Sequence, residues 1–127
     1  MKPRPGPAEA ALPAAARAEL DRFIDSLWLE HGLARNTLSG YRSDLALFAV
    51  WLSARATPLA QAQSSDLAAY LAEFSLRARP ASQRRLLASW RRYYRHLLAN
   101  REISIDPTLM LDPPLPAQRF PKTLSEA

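Results

Sequence analysis

The chain has 127 residues, 48% of them hydrophobic, and no cysteine. It can bury about one modest core, and disulfides, thiolate nucleophiles and thiolate metal sites are excluded. No run of eighteen apolar residues is present, and the N-terminus lacks the apolar stretch of a secretory signal, so the sequence reads as a soluble protein. Its net charge of +5 is unevenly placed: the twenty-eight residues between Glu73 and Glu102 hold eight arginines and no carboxylate, which leaves the rest of the chain at -3. Such a localised field, with a pI near 10.2, attracts a polyanion more strongly than scattered charge does.

Eleven prolines fall mainly at 3–13 and 107–121, with only Pro58 and Pro80 between them. Because proline ends helices, the middle divides into proline-free blocks. Residues 1–14 read as a flexible leader rich in proline and alanine. A first helix is predicted over about 15–31 from Leu20, Phe23, Ile24, Leu27 and Trp28, stopping at Gly32, which suits a left-handed cap. A second, about 36–53, carries Leu38, Tyr41, Leu45, Phe48 and Leu52 on one face, with Asn36 placed to cap its start. The loop "ATPLAQAQ" follows, its Leu59 expected to plug the core. A third helix, about 65–77, has Ser64 or Ser65 ahead of Asp66 and an apolar set of Leu67, Tyr70, Leu71 and Phe74. Pro80 opens the fourth, about 81–100. No segment alternates with period two, so no sheet is expected. The fold class is all-α, a compact bundle of four main helices within residues 15–106.

The fourth helix, "SQRRLLASWRRYYRHLL" from Ser82, has two unlike sides. At 100° per residue Leu86, Trp90, Tyr93 and Leu97 fall together, flanked by Leu87, Tyr94 and Leu98, as a core face does. The opposite side collects Arg84, Arg85, Arg91, Arg92 and Arg95, with Ala88 and Ala99 leaving shallow gaps. A solvated surface helix ordinarily mixes signs and gains from opposite charges three or four residues apart, and this one has no acid at all. The arginines are therefore expected to stand uncompensated, and their planar forks match phosphate oxygens and the guanine edge. On the second helix, Asn36, Ser39, Gly40 and Ser43, flanked by Arg35 and Arg42, give small hydrogen-bonding groups near a helix start, where amides and the dipole favour phosphate.

Catalytic and cofactor signals are lacking. His31 and His96 have no partners at metal-ligand spacing and are expected to be structural; Tyr41, Tyr70, Tyr93 and Tyr94 sit at or beside apolar helical positions, as core aromatics do. No metal and no cofactor is implied. A basic amphipathic helix can also lie on an anionic membrane, but the stripes of the other three helices need the face that a membrane would take. A helical module for protein interaction would leave the basic side unexplained.

The stretch "LWLEHGLARNTLSGYRSDLALFAVWL" carries Asn36, Thr37, Leu38, then Tyr41, Arg42, then Asp44, Leu45. With "LAQAQSSDL", "RRLLASWRRYYRHLL" and "DPPLPAQRFPKTLSEA" in the same order, residues 17–127 resemble the N-terminal core-binding domain of tyrosine site-specific recombinases. The resemblance implies a SAM-like bundle of the lambda-integrase N-terminal type, forming half of a clamp on duplex DNA, with the second and fourth helices toward the major groove. It selects Thr37, Tyr41 and Arg42 on the second helix, and Ser82, Arg84, Arg85, Ser89, Arg91 and Arg92 on the fourth. It implies further a second recombinase in a heterotetramer on DNA, a cytoplasmic location, and strand exchange through a tyrosine in a separate catalytic domain. Residues 107–127 are then expected to be the linker and start of that domain, and residues 1–127 alone to be inactive in cleavage. Phage, transposon and integron integrases share the pattern.

Overall fold

The structure is a computed structural model that describes residues 10–111. Most of the expected leader, residues 1–9, and the part of the expected 107–127 linker from residue 112 onward lie outside the described residues. Four helices form: α1 (Ala14–Ser26), α2 (Arg35–Ser53), α3 (Ser64–Ser75) and α4 (Pro80–Ala99), with a π-turn at Leu27–His31 and a 3-10 turn at Leu59–Gln61. No strand occurs among the described residues.

One core joins all four helices. Leu20, Phe23 and Ile24 of α1, Leu38, Leu45, Phe48 and Leu52 of α2, Leu67, Tyr70 and Phe74 of α3, and Leu86, Trp90, Tyr93 and Leu97 of α4 are buried together. These are the stripes that the 3.6-residue period requires. Trp90 lies at the centre, with ring centroids 4.9 Å from Phe48 and 5.9 Å from Tyr70. Leu59 fills the core as expected, and its carbonyl accepts a hydrogen bond of 2.8 Å from the Tyr94 hydroxyl. Beyond α4, Asp106 turns the chain back: its Oδ1 accepts from the Thr108 N–H and Oγ1 at 2.9 and 2.7 Å.

Several local details differ from the sequence expectation. The first helix widens into the π-turn at Leu27, which adds a residue to the turn and slips the apolar register, so Trp28 is 37% exposed while Leu27 stays buried. Gly32 then caps it with φ +61°. Ala34, not Asn36, is the N-cap of α2, without a side-chain cap; Asn36 is exposed inside the first turn. The N-cap of α3 is Gln63, one residue before the expected serines, and Asp66 Oδ2 accepts its N–H at 2.9 Å. Leu98 on the flank of α4 is exposed, and Leu12, expected in the leader, is buried in the core.

Candidate nucleic-acid interface

Helices α2 and α4 pack together, and their polar sides meet at one contact. Arg85 on α4 reaches Asp44 on α2 through two parallel hydrogen bonds, Nε to Oδ2 and Nη2 to Oδ1, each 2.8 Å. Asp44 is almost sealed, its side chain 3% exposed, whereas that of Arg85 is 46% exposed. The hydrogen bonds to Asp44 raise the guanidinium above its ordinary pKa, burial opposing them only in part. Gly40, one turn before Asp44, lies under the same side chain. A Cβ there would stand 2.9 Å from Arg85 Cδ and 3.1 Å from both Nε and Nη1. A glycine inside a helix costs about 0.5–1 kcal/mol relative to alanine, and here the missing methyl is what lets the arginine lie down. The space left by the missing side chain of Gly40 is thus taken by Arg85 itself.

This geometry corrects the expectation of uncompensated arginines. The acid-free helix borrows its acid from α2, so Arg85 is paired. Arg42, foreseen as a surface contact, is 4% exposed and bonds through Nη2 to Asp21 Oδ1 of α1 at 2.6 Å. Ser89 is fully buried, its hydroxyl donating to the Leu86 carbonyl at 2.7 Å. A serine in the core face is satisfied by its own helix, as is common when no other acceptor is near. Tyr41 is buried with the other three tyrosines, as the helical projection expected.

The remaining positions stay at the surface. Arg35, Asn36, Ser39, Ser43, Arg84 and Arg95 are exposed, while Thr37, Gly40, Ser82, Arg91 and Arg92 are half-buried. Among the described residues no carboxylate lies within ion-pair distance of Arg84, Arg91, Arg92 or Arg95. Arg92 and Arg95 line an open cleft of about 380 Å³ against the π-turn, with Glu30, His31, His96 and Asn100. No group of His, Cys, Asp and Glu able to hold a metal occurs among the described residues, and no helix there is long and apolar enough to cross a membrane. Sequence reasoning missed Asp21 and Asp44. The spacing of Gly40 and Asp44, four residues apart on one helical face, was the available signal for the second.

The described residues thus form a four-helix bundle that sets arginines of α4 beside small polar groups of α2. The chain belongs to the phage integrase N-terminal SAM-like domain family, whose model matches residues 20–101. It is similar to the tyrosine recombinase XerD of Ralstonia nicotianae, 44% identical over 124 residues, 95% of this chain and 39% of that protein. Similar too are the XerD proteins of Pseudomonas putida, 41% identical over 117 residues, 91% of this chain and 39% of the relative, and of Yersinia pestis, 40% identical over 109 residues, 85% and 36%. The chain spans less than two fifths of the length of these relatives.

Proposed function

We propose that residues 10–111 grip duplex DNA, as the core-binding half of a clamp in a XerD-like recombinase. The observation that carries this reading is the outward side of α4, where Arg84, Arg91, Arg92 and Arg95 have no carboxylate within ion-pair distance among the described residues, beside the exposed Arg35, Asn36, Ser39 and Ser43 of α2. Phosphates of a duplex would supply the missing counter-charge, and the small α2 side chains would admit the backbone or the base edges. By family, the whole recombinase would act with a XerC-like partner in a heterotetramer, resolving chromosome dimers at a short two-half-site sequence in the bacterial cytoplasm. Strand breakage and rejoining belong, in this reading, to residues outside the bundle. Each described tyrosine is buried among apolar side chains, which suits packing and not attack on a phosphate.

The test is duplex binding measured against salt, beside vesicles of phosphatidylglycerol. Four or five neutralised phosphates would give a log-log slope on the order of -4, since each contributes about -0.9. Binding to the vesicles with no salt-dependent binding to duplex would sink the proposal.

A further inference from the structure

Arg85 is held differently from the other arginines of α4. Its Nε and Nη2 are engaged by Asp44 at 2.8 Å each. The near-equal distances from a Gly40 Cβ position to Cδ, Nε and Nη1, 2.9 to 3.1 Å, place the glycine under the flat face of the guanidinium, because no point in its plane lies that close to all three. One edge and one face are therefore fixed by α2. The end of the fork, the outer hydrogens of Nη1 and Nη2, has no acceptor among the described residues.

We propose that Asp44 and Gly40 are positioning residues that preset Arg85 to read a guanine in the major groove. This rests on the duplex-binding reading above and adds to it a division of labour: Arg85 specifies, and the other arginines hold the backbone. A guanine offers O6 and N7 as two acceptors at the separation of an arginine fork, and a bidentate contact needs both atoms of the donor aligned. A freely rotating arginine loses rotamer freedom when it makes such a contact; one already stacked and edge-bonded has little left to lose. A phosphate contact has no such need, as charge alone attracts phosphate from many angles. The helix interior also keeps a glycine at the one place where a methyl would lift the guanidinium off its seat.

The test selects preferred duplexes from a library randomised over the half-site, using the 127-residue chain and its Arg85→Lys, Asp44→Asn and Gly40→Ala variants. The unsubstituted chain should select guanine at one position by roughly five- to 150-fold over other bases, the range for a bidentate base contact. Arg85→Lys and Asp44→Asn should both flatten the preference at that same position while the salt slope with Asp44→Asn stays as it was. Gly40→Ala should weaken it there too. A loss of affinity spread evenly over all sequences would make Arg85 a phosphate contact and overturn the inference while the duplex reading stands. If Asp44→Asn does not fold, Gly40→Ala decides alone, since it keeps the acid in place: an unchanged guanine preference refutes the positioning role. A chain that binds no duplex overturns both.

Discussion

The arginine–aspartate pairs that tie α2 to α1 and to α4 are built in opposite senses. Between α1 and α2 the cation is inside: the Arg42 side chain is 5% exposed and that of Asp21 is 48% exposed. Between α2 and α4 the anion is inside: Asp44 is 3% exposed and Arg85 46%. The same chemistry thus hides a positive charge in one place and presents it in the other. What sets the difference is which partner stands on α2, since that helix is packed against both neighbours and its residues near the core lose water first. An arginine sent outward from α4 toward an acid on α2 keeps its charge at the surface in a fixed pose.

The largest effect should come from stranding the buried anion. Arg85→Ala leaves Asp44 without its hydrogen-bond donors and should destabilise the fold by about 3 kcal/mol, the low end for breaking a buried pair because water already reaches Arg85. Asp44→Ala leaves Arg85 in water and should cost about 1 kcal/mol. Arg42→Ala, which leaves Asp21 half-exposed to water, should cost about 1–2 kcal/mol, mostly through the lost packing of its buried stem. Urea melts of the three variants check this, and equal losses for Arg85→Ala and Asp44→Ala would erase the asymmetry.

A smaller effect separates paired from unpaired polar groups on α4. The Tyr93 hydroxyl is buried without a partner among the described residues, and burial pushes its pKa well above the ordinary tyrosine range. Burial likewise raises Tyr70 and Tyr94. A raised folded pKa gives stability that is present below the unfolded value of about 10 and lost as pH rises through the folded one. The protein should therefore hold its stability up to about pH 9 and lose it above about pH 10. Tyr93→Phe should be neutral or stabilising by up to about 1 kcal/mol at pH 7 and should remove about 1.4 kcal/mol per pH unit from the alkaline decline. Melts at pH 8 to 11 would show this, and an unaltered alkaline slope would contradict it.

The least effect on folding is expected at the arginines without carboxylate partners. Arg84→Ala and Arg91→Ala should each shift stability by no more than about 0.5 kcal/mol, with a direction toward gain, since like charges on one helix repel. If either destabilises as much as Arg85→Ala, it has a partner that the bundle geometry does not provide.

The four helices and nearly every core position are legible in the residue order alone, because a helix is a local structure whose buried stripe is written at three- and four-residue spacing. The sequence also separated the apolar from the basic side of α4. It erred by a residue or two at the helix starts, where Ala34 and Gln63 serve as N-caps in place of Asn36 and the serines, and at the π-turn, whose extra residue leaves no mark in the apolar period. Which arginines of α4 lack a carboxylate partner among the described residues depends on how the helices are packed. The acids that hold Arg42 and Arg85 are 21 and 41 positions away, on helices brought close by burial of the shared core. Charge pairing across such distances depends on how the helices pack, and no period along one helix records it.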